Sequence, residues 1–174
     1  MSEYQYYERF TASIRPYLLA GVLRFVRAAR NVEGVVRIAL IGSLATDKLN
    51  PKDADLLITI RDDADLAPLA ALGRKLQGHA QQRNRGGEVF LCSPEGAYLG
   101  RTCPWKDCRP FVRLRCDAQH CGLRPYLHDD LQTITLPPSL IATPPIELWP
   151  QVVARAPVPD DVEQLLLTPL RDAG

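Results

Sequence analysis

Between Arg37 and Ile60 the chain reads RIALIGSLATDKLNPKDADLLITI. Ile38 to Ile41 forms an apolar strand, Gly42 and Ser43 a turn, and the residues after it a polar loop leading to a second strand that carries Asp53 and Asp55. Alternate residues of a strand share a face, so these two carboxylates point the same way, with Cα atoms roughly 6–7 Å apart. Side by side they repel each other, and fold stability gives little reason for placing them so at a buried strand. A divalent cation between them removes that cost. A solvated pair beside a turn is the plainer alternative, and the preceding apolar strand, the Gly-Ser turn and the spacing weigh against it.

The rest of the composition fits one compact domain with an appended tail. Of the 174 residues 46% are hydrophobic and 24% charged, enough for a sizeable core. A formal net charge of +1 argues against non-specific binding to nucleic acid or anionic membrane through overall charge. No run of eighteen apolar residues is present, and MSEYQYYERF lacks a signal-peptide pattern. The expected setting is the cytoplasm, where thiols stay reduced, so the five cysteines point to metal or to buried thiols before disulfides.

Along the chain, Ile14, Tyr17, Leu18, Val22, Phe25, Val26 and Ala29 line one face of a helix over 11–30, with Arg15, Arg24, Arg27 and Arg30 read as solvated. Gly34 follows as a stop. Asp65 is a candidate cap for a second helix marked by Leu66, Leu69, Leu72, Leu76 and Ala80. Gly86-Gly87 reads as a break, Glu88 to Cys92 as a third strand, and Leu131 to Leu136 as a half-buried strand. Eight of the fifteen prolines fall between Pro137 and Pro169, which predicts an extended, irregular tail with one short helix over Val162 to Leu167.

Gly42-Ser43, nine intervening residues, then Asp53-Ala54-Asp55-Leu56 resembles the signature of the DNA polymerase β-like nucleotidyltransferase superfamily. The resemblance spans about residues 12 to 92. It implies an α/β (α+β) fold with a small mixed sheet and flanking helices. It also implies transfer of a nucleoside monophosphate from a nucleoside triphosphate to a hydroxyl of RNA, protein or a small molecule, releasing pyrophosphate. Asp53 and Asp55 would bind Mg²⁺ or Mn²⁺, hard cations suited to carboxylate oxygen. Glu88, a Glu where the family usually has Asp, is the candidate third carboxylate, with Asp129 or Asp130 as the alternative. Gly42 and Ser43 would face the triphosphate, with Lys48 and Lys52 within reach or simply solvated. Small members of this superfamily often belong to toxin–antitoxin or defence systems, which implies a partner of that kind.

Cys103-x4-Cys108 and Cys116-x4-Cys121 repeat one spacing thirteen residues apart. That symmetry predicts a hairpin over 98–126 holding one structural Zn²⁺, with His120 as an alternative ligand and four reduced thiols as the metal-free reading. Cys92 reads as a small buried hydrophobe. Arg101, Lys106, Arg109, Arg113, Arg115 and Arg124 either balance the thiolates or, with Trp105 and Tyr126, form a patch for RNA or triphosphate. The expected organisation is a nucleotidyltransferase-like domain over 1–136 and a proline-rich extension over 137–174. Two rivals differ in class. One is an inactive module that contacts RNA or a partner protein through the zinc hairpin, and the other a zinc-ribbon nucleic-acid binder.

Overall fold

The computed structural model of the chain describes Ser2, Gln5 and residues 14–107 and 124–172. Helix α1 (Ile14–Ala29) leads into β1 (Val35–Ile41), a short 3₁₀ turn (Ser43–Ala45), β2 (Asp53–Ile60), helix α2 (Ala67–Gln81), β3 (Gly86–Cys92) and β4 (Tyr98–Thr102). After the cysteine segment come β5 (Leu127–His128), helix α3 (Pro138–Ala142), β6 (Ile146–Trp149) and β7 (Val153–Ala154). The chain ends in a helical run: α4 (Asp160–Val162), a π turn (Glu163–Leu167) and α5 (Thr168–Asp172).

Among the described residues seven strands join one mixed sheet in the order β5-β4-β3-β2-β1-β6-β7. Of these pairings β2 with β3 is the parallel one. A parallel pair needs a crossover, and α2 supplies it. Strand alternation then divides the apolar residues between the two faces. Ile38, Leu40, Leu56, Ile58, Val89 and Leu91 pack with Leu18, Val22, Phe25, Leu69 and Leu76 of α1 and α2 to form the main core. On the other face Ala39, Ile41, Leu57, Phe90 and Cys92 make a smaller cluster, covered by Ile134, Leu136, Leu140 and Ile141. Asp53, Asp55 and Glu88 alternate onto that second face, beyond the end of its apolar cover. Among the described residues no helix is long and apolar enough to cross a membrane.

Several expectations need correction. The tail is not extended and irregular throughout, because β6 pairs with β1 and adds to the sheet. Pro137 and Pro138 start α3, and the tail's other prolines lie outside Ile146–Trp149, leaving that segment free to pair. Leu131 to Leu136 forms no strand. Thr133 and Ile134 instead donate to the Asp130 carbonyl at 2.8 and 3.0 Å, closing a turn, and the pairing strand is Leu127–His128. Gly86 and Gly87 open β3, and Tyr98 to Thr102 belongs to the main sheet, so the inserted segment begins only at Cys103. Asp65 does accept from the Ala67 N–H at 3.0 Å at the start of α2. His79 stacks on Tyr17, with ring centroids 3.9 Å apart, and ties α2 to α1.

Candidate active site

Asp55 sits between two carboxylate neighbours because of the sheet register. It pairs with Ile41 of β1 on one side and with Glu88 of β3 on the other, two residues along from the Asp53–Gly86 pair. Burial, then the charge of Asp53, then that of Glu88 push the Asp55 carboxyl up to about 7 from an ordinary 3.8. Carboxyls shifted by burial and by like-charged neighbours cluster at functional sites.

Two glycines leave room for these carboxylates. Gly42 stands at φ 74° and ψ −163°, a conformation open essentially to glycine alone. A Cβ there would lie 2.6 Å from Asp55 Oδ2, so the carboxylate lies directly against the turn. At Gly86 a Cβ would come within 2.2 Å of Asp53 Oδ1. What reads in sequence as a Gly-Gly break is therefore a strand start cleared for Asp53. Ser43 is half-buried in the turn, while Lys48 and Lys52 are exposed along the loop.

The third carboxylate is divided between two roles. Glu88 lies opposite Asp55, yet its Oε2 accepts from Arg101 Nη1 at 3.1 Å. The other arm of Arg101 donates to Asp130 Oδ2 at 2.5 Å. Asp130 is thus committed to Arg101, and Glu88 alone of the three candidates faces the Asp pair in register. Asp130 Oδ1 and the Tyr98 hydroxyl are buried without hydrogen-bond partners, and burial with the Asp130 charge pushes Tyr98 up to about 12. Among the described residues no three His, Cys, Asp or Glu side chains are gathered closely enough to hold a metal ion. The donors still suit a hard cation, since Asp55 carries an uncompensated repulsion beside a turn that keeps the space against it free of a side chain.

The cysteine segment is described only at its two ends. Cys103 is buried, and its N–H donates to the Tyr126 carbonyl at 2.8 Å, so the segment leaves and returns at one point. Cys108, Cys116 and Cys121, with His120, Arg109, Arg113 and Arg115, lie outside the described residues. Arg101 and Arg124 are both engaged within the described residues, while Lys106 is exposed. The first is ion-paired, and the second donates to the Arg61 carbonyl at 3.2 Å. Trp105 is 44% exposed. Cys92 is fully buried against Thr59, as expected.

Sequence reasoning missed two arginines. Arg15, expected in solvent, is buried and reaches the loop after Gly42, donating to the Leu44 and Lys48 carbonyls at 3.2 and 2.7 Å. Its position three and four residues before Leu18 and Leu19 already places it on the apolar face. Arg85 donates to the Pro51 carbonyl at 3.1 Å and to Asn50 Oδ1 at 2.6 Å at the other end of the same loop.

Residues 2–113, more than half of the chain, match a family of unknown function, DUF6932. The chain matches no curated protein and no solved structure. By that family match, the chain belongs to DUF6932.

Proposed function

We propose that the protein is a metal-dependent nucleotidyltransferase that moves a nucleoside monophosphate from a nucleoside triphosphate to a hydroxyl acceptor. The observation that carries this reading is the Asp55 carboxyl, pushed up to about 7 by burial and by Asp53 and Glu88, against a glycine turn that clears space for a ligand. Burial together with like-charged neighbours is the environment in which functional carboxyls are tuned.

Asp53 and Asp55 would hold Mg²⁺ or Mn²⁺, with Glu88 joining on release from Arg101. When bound, such ions neutralise the triphosphate and lower the pKa of the attacking hydroxyl. Gly42 lets the backbone approach phosphate, Ser43 offers its N–H and hydroxyl, and the exposed Lys48 and Lys52 add positive charge. The acceptor oxygen forms a bond to the α-phosphorus while the bond from that phosphorus to the bridging oxygen breaks. Pyrophosphate leaves, and Glu88 takes the hydroxyl proton. The segment after Cys103 would be held by a structural Zn²⁺ on Cys103, Cys108, Cys116 and Cys121, since its two ends meet at the sheet edge.

The test is incubation with each α-labelled nucleoside triphosphate, Mg²⁺ or Mn²⁺ and a cell extract. A labelled acceptor that disappears with Asp53→Ala supports transfer. Triphosphate binding with no label transferred by the intact protein, or binding of RNA that ignores Asp53, favours a non-catalytic module.

A further inference from the structure

The loop between Gly42 and Asp53 contains the proposed phosphate-facing groups, yet only the Ser43–Ala45 turn within it has regular structure. Its shape is held by side chains from elsewhere in the chain. Arg15 of α1 donates to two of its carbonyls, Leu44 and Lys48. A guanidinium so buried needs a counter-charge, and Asp161 of α4 supplies it in a two-point pair, Nε to Oδ2 at 2.7 Å and Nη2 to Oδ1 at 3.1 Å. Arg85 fastens the far end at Asn50 and Pro51. Between these two anchors lies Leu49, 82% exposed.

We propose that Arg15, oriented by Asp161, is a positioning residue for nucleoside triphosphate binding, so that the C-terminal helical run forms part of the nucleotide site. The inference rests on the nucleotidyltransferase reading. It goes beyond that reading by assigning a role to a segment that lies past the family match, which ends at residue 113. Within the loop Arg15 bonds to backbone carbonyls, so its loss misplaces phosphate-binding groups while leaving Asp53, Asp55 and Glu88 where they are. Its effect therefore falls on binding of the nucleotide before it falls on the chemical step.

The experiment compares the full chain with Asp161→Asn and, as a second variant keeping the positive charge, Arg15→Lys. Both are first checked for a cooperative melt. Steady-state kinetics with the triphosphate and hydrogen exchange of amides 44–52 are then measured. The expected result is a KM for the triphosphate raised about tenfold with kcat within about twofold, alongside faster exchange in the loop. Unchanged exchange, or faster exchange with an unchanged KM, overturns the inference while the transferase reading stands. A wild-type chain that neither binds nor turns over any triphosphate overturns that reading, and the assigned role with it.

Discussion

Asp55 lies directly across the parallel β2–β3 pair from Glu88, and Glu88 in turn is held by Arg101. One carboxylate is thus left to bear the repulsion of its neighbours, while the other has found a cation within the protein. This asymmetry makes the site testable without knowing its substrate.

The first consequence concerns pH. Between the ordinary carboxyl value of 3.8 and the folded value of about 7, the folded protein retains a proton that the unfolded chain has lost. Stability therefore falls as pH rises through that window and levels off above it, with a deficit on the order of 4 kcal/mol from Asp55. Asp55→Asn should be more stable than wild type at pH 8 and close to it near pH 4. Urea unfolding at the two pH values checks this, and equal slopes with pH for both proteins contradict it.

Divalent cations should offset the same deficit. At pH 8 millimolar Mn²⁺ should raise the melting temperature of wild type by several degrees, as expected for a ligand that binds only the folded state. Asp53→Ala and Asp55→Asn should lose the shift. Protonation of Asp55 makes the effect smaller at pH 5 than at pH 8.

The two glycines separate steric from conformational cost. Gly42→Ala must hold φ 74° and ψ −163° and place a Cβ against Asp55, so it should destabilise by about 1–3 kcal/mol as well as abolish transfer. Gly86→Ala meets only the flexible end of Asp53, which can turn away. It should melt within a few degrees of wild type, yet lose activity by about 100-fold through a misplaced carboxylate.

Arg101→Met leaves Asp130, whose side chain has no solvent exposure, without its cation. Removing one partner of such a pair should cost about 3–5 kcal/mol in urea unfolding. Converting Asp130 to Asn as well should recover much of that loss. A single variant as stable as wild type would mean that the buried Asp130 does not depend on Arg101.

Elemental analysis of the purified chain should find zinc, lost in Cys103→Ser. Zinc absent from the intact chain would leave the segment after Cys103 to fold without it.

Periodicity carried most of the fold. The spacing of Leu18, Val22 and Phe25, and the apolar runs around Leu40 and Leu56, are local signals, and the two main helices and the first three strands followed from them. The placement of Asp53 and Asp55 on one face required only strand alternation. What stayed illegible depends on distant partners. Nothing near Ile146 shows that it will pair with Leu40, because that register is set by an edge left open by β1. The link from Glu88 through Arg101 to Asp130 joins β3, β4 and a residue just past β5, and no single window contains it. Arg15 is different: its spacing placed it among buried residues, and only the presumption that arginines face water concealed it.

The most direct test of the central claim is Mn²⁺ binding at pH 8, followed by electron paramagnetic resonance with and without a non-hydrolysable nucleoside triphosphate. A bound-ion signal that tightens with nucleotide and vanishes in Asp53→Ala is the predicted result. Binding absent from wild type, or undiminished in Asp53→Ala, would contradict a metal site built on these carboxylates.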